Sequence, residues 1–225
     1  MDFHLNFQVS HKVYLRDPEG TEVGRKIIKS AIDLIYELGF EHFTFRKLAV
    51  EIHATEATIY RYFENKHRLL LYILNWYWSY IEFLMMFGLQ NIQDTRVKLE
   101  TVIELLTHEL PQSSGNMDYN KRFLNQIVIA ESSKVYLVKE VEEINKEAVF
   151  KPYKDLCGRI AALITEHNPT YAYPRSLSST LIEASHHQQF FSSYLPKLTD
   201  VEHHGAKDFT AMFLKDLLFK AIEHP

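Results

Sequence analysis

Polar and aromatic side chains recur at helical spacing in the stretch that begins at Thr44 and ends at Lys66. Threonine and arginine side chains can read base edges in a major groove, and lysine and tyrosine donate to phosphate oxygens. A helix, a tight turn and a second helix with a polar, aromatic outer face present such side chains to a duplex. The candidate contacts are Thr44, Arg46, Thr55, Glu56, Ala57, Thr58, Tyr60, Arg61, Tyr62 and Lys66.

Two histidine pairs, His186-His187 and His203-His204, are the other groups whose types suggest chemistry, in this case metal binding. Adjacent histidines on a helix point in different directions, and the single cysteine, Cys157, cannot form a cysteine cluster. The sequence also lacks a P-loop, a GxGxxG loop, an HExxH pair and a nucleophile elbow. We therefore predict no metal, no cofactor and no enzymatic activity.

Composition predicts an all-α protein. The chain has 225 residues, 46% of them hydrophobic and 24% charged, and only seven glycines and seven prolines. These values are ordinary for a globular protein with a real core. The net charge of −4 argues against a protein that coats nucleic acid through a basic surface, but it allows a small basic face.

The chain shows no signal for export or for a membrane. Its N-terminus lacks a basic start and an apolar signal core, and a lone cysteine fits a reducing compartment, so we expect a cytoplasmic protein. The stretch from Leu69 to Leu89 is apolar but contains Asn75 and Glu82, with its aromatic residues spread through its middle. Membrane-spanning helices gather such residues at their ends, so we interpret this stretch as a buried helix.

The elements that position the candidate contacts follow from caps and periodicity. Helix one is predicted from about Thr21 to Leu38, with Gly39 in a left-handed C-terminal position. Thr44 is the predicted cap of helix two, His53-Ala54 the turn, and Thr55 the cap of helix three. Helix three is predicted over Glu56–Phe63, and helix four from a cap at Asn65 to about Phe87. Further helices are predicted near 94–110, 119–131, 133–149, 150–167, 175–195 and 206–222, with a loop at Pro111–Asn116.

The stretch from Arg25 to Leu70 resembles the TetR family of bacterial transcriptional regulators. Its matching residues are Ile28, Ala31, Leu38-Gly39-Phe40, Thr44, Leu48-Ala49, Ala57-Thr-Ile-Tyr-Arg-Tyr-Phe63, Asn65-Lys66 and Leu69-Leu70. Three positions depart from the family pattern: His53 stands where a glycine is usual, Ala54 replaces a larger aliphatic residue, and Glu56 replaces a basic or small residue. Residues 1–20 alternate loosely and end in the turn Asp17-Pro-Glu-Gly20, which predicts an N-terminal arm or a short strand. The resemblance implies a three-helix DNA-binding domain at 21–68 and a helical effector-binding and dimerisation domain at 69–225.

The resemblance also places helix three in the major groove. It implies that Thr58 and Ala57 contact bases, that Arg61 contacts guanine or phosphate, and that Glu56 accepts from a cytosine amino group if it reads a base. Thr44 and Arg46 would grip the backbone. Tyr60, Tyr62 and Lys66 would reach phosphates, Lys66 from the first turn of helix four.

For the C-terminal half, the resemblance implies a homodimer on a pseudo-palindromic operator and a pocket for a small hydrophobic effector. An effector beside helix four would tilt the DNA-binding domain. The candidate pocket residues are Trp76, Tyr80, Phe83, Phe123, Tyr136, Tyr153 and Phe190, each of which could equally be core. The candidate dimer residues are Leu181, Phe190, Phe213 and Leu217.

Three hypotheses follow. The first is a ligand-responsive dimeric regulator of transcription, in which double-stranded DNA is the partner and repression the expected outcome. The second keeps DNA binding without an effector and acts through protein partners. The third is a helical small-molecule carrier whose helix-turn-helix is vestigial.

Overall fold

The computed structural model describes residues 7, 9–108, 110, 119–136, 139, 141–146, 148–201 and 208–223. Within these ranges the regular structure is helical and no strand forms, which confirms the predicted all-α class. The α-helices are α1 (Glu22–Leu38), α2 (Phe45–Glu51), α3 (Glu56–Tyr60), α4 (Lys66–Leu89), α5 (Thr95–Thr107), α6 (Lys121–Glu131), α7 (Ser133–Tyr136), α8 (Val141–Lys146), α9 (Lys151–His167), α10 (Pro174–Tyr194) and α11 (Phe209–Glu223), with a 3₁₀ turn at Pro196–Leu198.

Two compact units divide the chain. Unit one takes the described residues up to Trp78 and those within 110–152, and unit two takes 79–109 and those from Tyr153 onward. The division falls inside α4. These units are separated by compactness, whereas the boundary predicted near residue 68 separates a DNA-binding from an effector-binding domain. That boundary stays a prediction.

α1 begins at a threonine cap and buries one apolar face. The Thr21 hydroxyl accepts from the Gly24 backbone N–H at 3.0 Å. Ile28, Ala31 and Ile35 share one face at helical spacing and are buried, whereas Leu38 on the same face is half-buried. Gly24 lies so close to Pro18 that an added Cβ would meet the Pro18 carbonyl oxygen at 2.2 Å. Gly39 ends the helix at φ 75° and ψ 153°, so φ is positive as predicted, but ψ leads into extended chain and not into the left-handed helical region.

α2 and α3 are short helices joined by a turn at His53. The Thr44 hydroxyl accepts from Lys47 N at 3.2 Å and caps α2, whose Phe45, Leu48 and Ala49 are buried. His53 has φ 54°, so the turn keeps the left-handed conformation with histidine in place of glycine. α3 ends at Tyr60, earlier than predicted.

α4 is mostly a buried helix within unit one. The Asn65 side chain accepts from Arg68 N at 2.9 Å, which confirms the predicted cap. The residues from Leu69 to Trp78 are all buried, in agreement with the predicted buried helix, but the rest of the predicted stretch is not: Phe83, Met86 and Phe87 are exposed. Among the described residues, no helix is both long and apolar enough to cross a bilayer.

α6 packs against α1 in unit one. The Tyr36 and Phe123 rings stack with centroids 3.8 Å apart, and the Glu131 carboxylate accepts from the Phe40 backbone N–H at 3.1 Å. The single helix predicted at 133–149 is instead two short ones, α7 and α8. The predicted loop at Pro111–Asn116 lies outside the described residues.

Unit two joins α5, α9, α10 and α11. Asp94 caps α5, and Lys98 forms an ion pair with Glu166 of α9 at 2.9 Å. The Ser178 hydroxyl of α10 donates to the Cys157 carbonyl oxygen of α9 at 2.7 Å. His203 and His204 lie outside the described residues, and the described ones contain no group of three or more side chains that could hold a metal ion.

Candidate nucleic-acid interface

The exposed face of α3 carries most of the predicted base-reading residues. Ile59 is fully buried and fixes the helix to the core, whereas Glu56, Ala57, Tyr60 and Arg61 are exposed. Thr58 is half-buried. The structure therefore brings these side chains together on one outward-facing surface, which we call the α3 face.

The α3 face is held by contacts at both ends of the helix. At its start, the Thr55 hydroxyl accepts from Thr58 N at 3.3 Å and shares a hydrogen bond with the Thr58 hydroxyl at 3.0 Å. At its end, the Tyr60 ring meets the Phe45 ring edge-to-face, with centroids 5.0 Å apart. The Leu15 backbone N–H donates to the Tyr62 carbonyl oxygen at 2.7 Å, so the segment before α1 fixes the chain as it leaves α3.

Thr44 and Arg46 lie exposed at the start of α2. The Thr44 hydroxyl is already used as a cap, but a hydroxyl can donate to a phosphate while it accepts from a backbone N–H. Beside them, the Lys47 ammonium donates to the His42 carbonyl oxygen at 2.9 Å. His42 and Lys47 are also exposed here and were not among the sequence candidates.

Tyr62 does not lie on the α3 face, contrary to the sequence expectation. Its side chain is 3% exposed, and its hydroxyl shares a hydrogen bond with the Thr21 hydroxyl at 2.8 Å. The Arg16 guanidinium covers its ring at 5.3 Å from the centroid. This burial follows from the early end of α3, which turns Tyr62 toward α1. Tyr62 is a packing residue and not a phosphate contact.

Lys66 is likewise engaged inside the protein. Its ammonium donates to the carbonyl oxygens of Phe40, Glu41 and Phe43 at 3.0, 3.3 and 3.3 Å. It also lies 4.6 Å from the Phe40 ring centroid. An ammonium has three N–H donors, and all three have acceptors here. Lys66 therefore joins α4 to the loop after α1, and the predicted phosphate contact would require these bonds to break.

Several positioning residues were missed from the sequence because their partners are distant in the chain. The Arg25 guanidinium donates to the Glu19 carbonyl oxygen at 2.6 Å, and the Lys26 ammonium donates to the Ile52 carbonyl oxygen at 3.0 Å, at the end of α2. Glu131 is the most distant of these residues, and nothing in its own neighbourhood indicates the bond to Phe40.

The candidate pocket residues are spread over both units. Trp76, Phe123 and Tyr136 belong to unit one, and the other four belong to unit two. A cavity in unit one and another in unit two are lined, among the described residues, by none of the candidates. The four candidates in unit two are Tyr80, Phe83, Tyr153 and Phe190. The effector pocket stays a prediction.

The candidate dimer residues differ in exposure. Leu181 is fully buried within unit two, so it belongs to the core of one protomer and is removed from the dimer face. Phe213 is 38% exposed, beside Met212 at 49%, whereas Phe190 and Leu217 are half-buried. The exposed Phe213 ring stacks on the buried Phe209 ring, with centroids 6.3 Å apart, near the start of α11.

The sequence and the fold were compared with those of known proteins. Residues 27–73 match the family described as "Bacterial regulatory proteins, tetR family". No curated protein matches the chain. The solved structures that match share the fold at low sequence identity.

One of these structures is AibR in complex with isovaleryl coenzyme A and operator DNA, at 14% identity and TM-score 0.56, with 88% of this chain and 98% of that chain covered. A second is a putative transcriptional regulator from Saccharomonospora viridis in complex with choline, at 19% identity and TM-score 0.55, covering 91% and 97% of the two chains. A third is superantigen PfiT, at 16% identity and TM-score 0.60, covering 93% and 100%.

The caps, the left-handed turn and the outward face of α3 define a helix-turn-helix domain. Residues 27–73 of this domain match the tetR family, so the resemblance to that family stated from the sequence is confirmed.

Proposed function

We propose that this protein is a dimeric transcriptional regulator that binds a pseudo-palindromic operator through the α3 face, represses transcription, and is released by a small hydrophobic effector. The observation that carries the proposal is the α3 face itself. Arg61 and Tyr60 point outward, while Ile59 and the Thr55 cap fix the helix that presents them.

The charge distribution supports a sequence-reading role over non-specific coating. The chain is acidic as a whole, yet Arg46 and Arg61 are exposed on the same domain, and no hydrogen bond within the described residues engages either side chain. Glu56 on the α3 face disfavours phosphate and suits a cytosine amino group. We therefore expect such a surface to bind duplexes of arbitrary sequence weakly and a duplex of the preferred sequence more tightly.

The test is fluorescence anisotropy with duplexes from the chain's own upstream region, compared with scrambled duplexes. Arg61→Ala should weaken binding to the preferred duplex by about tenfold or more, since an arginine contact to a base contributes ~1–3 kcal/mol. Arg175→Ala is the matched control, because Arg175 is an exposed arginine of α10 in the other unit. Equal losses in both variants, or equal affinity for scrambled duplexes, would contradict the proposal.

The effector is tested separately. A screen of apolar ligands by thermal shift identifies compounds that stabilise the folded protein by mass action. A true effector lowers operator affinity when added to the complex. This part of the proposal is supported by AibR, a protein of similar fold that was crystallised with both isovaleryl coenzyme A and operator DNA. A ligand that binds and leaves operator affinity unchanged would contradict the coupling.

A further inference from the structure

A cavity of about 430 Å³ opens in unit one between the segment before α1 and α4. Its size is within the range of small-molecule sites. It lies within the helix-turn-helix unit and contains none of the aromatic residues predicted for the effector pocket. The residues that line it are Phe7, Val9, Ser10, His11, Tyr14, Asp17, Glu19 and Tyr72.

Two carboxylates of this cavity are held in fixed positions. The Tyr72 and Tyr119 hydroxyls both donate to the same Glu19 oxygen, Oε1, at 3.2 and 2.6 Å. Asp17 Oδ1 accepts from the Glu19 backbone N–H at 3.0 Å. Each carboxylate therefore keeps an oxygen that these bonds do not use, and no side-chain rearrangement is needed to present it.

Aromatic rings form the other part of the cavity. The Tyr14 and Tyr72 rings meet edge-to-face with centroids 6.0 Å apart, and the Phe7 and Trp76 rings do so at 5.4 Å. Burial, followed by the Glu19 carboxylate, raises the pKa of Tyr72, so its hydroxyl stays a protonated donor. Aromatic faces attract cations, and the attraction grows when the cation is partly removed from water.

The described side chains that line the cavity include more acidic than basic groups. Among the described residues that line it, two are carboxylates, one is histidine, and none is lysine or arginine. The two arginines close in sequence are engaged elsewhere: Arg16 lies over the Tyr62 ring, and Arg25 donates to the Glu19 backbone carbonyl. The described residues do not bring three metal-ligating side chains together, so the cavity does not suit a metal ion. The combination of rings and carboxylates suits an organic cation.

We propose that this cavity binds an alkylammonium cation, with Asp17 and Glu19 balancing its charge and the Tyr14 and Tyr72 rings contacting its alkyl groups. Binding here does not depend on the proposed function, because the cavity is complete within unit one.

The test is calorimetric titration of the full chain with tetramethylammonium chloride in the absence of DNA. tert-Butanol is the neutral probe of similar size. Asp17→Asn and Glu19→Gln each remove one charge and keep the side-chain shape, and both should weaken tetramethylammonium binding by about tenfold, the equivalent of ~1.4 kcal/mol. Glu37→Gln is the matched control, since Glu37 is an exposed carboxylate of α1 that does not line the cavity.

Asp17→Asn keeps the test valid if Glu19→Gln fails to fold, because Asp17 is exposed and its Oδ1 can still accept from Glu19 N as an amide. Three results would overturn the proposal. They are no binding of tetramethylammonium to the unmodified chain, equal binding of tert-butanol, and an equal loss in Glu37→Gln and Asp17→Asn.

Discussion

Two tyrosines at the end of α3 have opposite surroundings. Tyr60 is 49% exposed on the α3 face, whereas Tyr62 is buried against Thr21. Tyr62→Phe removes a hydroxyl that has a partner inside the protein, so we expect a loss of about 1 kcal/mol of stability and little change in operator affinity. Tyr60→Phe removes an exposed hydroxyl, so we expect little change in stability and a loss of operator affinity.

Thermal unfolding measures the first effect in each variant, and anisotropy with the preferred duplex measures the second. The pair controls for the loss of a phenol hydroxyl at neighbouring positions. If Tyr62→Phe weakens operator binding more than Tyr60→Phe does, without loss of stability, then the packing role of Tyr62 is contradicted and the phosphate contact predicted from the sequence is supported.

His186 makes unit two sensitive to acid. Burial, and then the charge of neighbouring His187, lower the pKa of His186 to about 3. The unfolded chain takes up this proton below about pH 6.5, but the folded chain does not until near pH 3. Its contribution to stability is therefore fully present above pH 6.5 and is lost as the pH falls toward 3, by up to ~1.4 kcal/mol per pH unit.

The melting temperature as a function of pH tests this linkage. His186→Gln should flatten the profile between pH 6.5 and 3, because the glutamine does not titrate. His187→Gln is the matched control, since His187 is exposed on the same helix and should leave most of the slope in place. A slope that survives in His186→Gln would show that other groups cause the acid sensitivity.

At the scale of elements, one ammonium joins α4 to the loop that separates α1 from α2. Lys66→Met should cost about 1–3 kcal/mol of stability, since three carbonyl oxygens lose their donor. A phosphate contact contributes about one unit to the dependence of log affinity on log salt concentration. Because Lys66 is engaged internally, we expect this slope to be unchanged in Lys66→Met.

Arg46→Met provides the comparison, since Arg46 is exposed at the start of α2 and is proposed to contact the backbone. Its salt slope should fall by about one unit while its stability stays close to that of the unmodified chain. The expectation for Lys66 fails if its variant loses the slope and Arg46→Met keeps it.

The sequence predicted those features that local chemistry determines. The caps at Thr44, Thr55 and Asn65 each use a side-chain oxygen and a backbone N–H three residues away, so a short window contains the whole interaction. The positive φ of His53 agrees with the resemblance, in which this turn position usually holds glycine.

The sequence did not predict the features that depend on distant partners. The hydroxyl partner of Tyr62 is 41 residues away, and the Glu131 bond to Phe40 spans 91 residues. Periodicity also made α3 too long, because the apolar Phe63 continues the helical pattern while the backbone tightens after Tyr60. The buried position of Leu181 could not be separated from a dimer position, since both need an apolar residue.

At the scale of the whole molecule, the start of α11 offers an apolar surface for a second copy of the chain. Phe213→Lys should convert the proposed dimer to a monomer, because Phe213 and Met212 are exposed large apolar side chains on the proposed face. Analytical ultracentrifugation measures the mass, and operator affinity should fall with it, since two half-sites require two copies. Lys220→Met, at an exposed position of the same helix, controls for a change of charge.

The dimer proposal is contradicted if the unmodified chain sediments as a monomer at the concentrations that protect an operator. It is also contradicted if Phe213→Lys stays dimeric, because then another surface holds the copies together.

The close contact between Gly24 and Pro18 connects a position in α1 with the α3 face. A single extra methyl group at position 24 would overlap the Pro18 backbone and push the segment before α1 away from that helix. The same segment holds the end of α3, because the Leu15 backbone N–H donates to the Tyr62 carbonyl oxygen. A change as small as Gly24→Ala should therefore disturb the α3 face, and with it the proposed operator binding, from a position outside the candidate contacts.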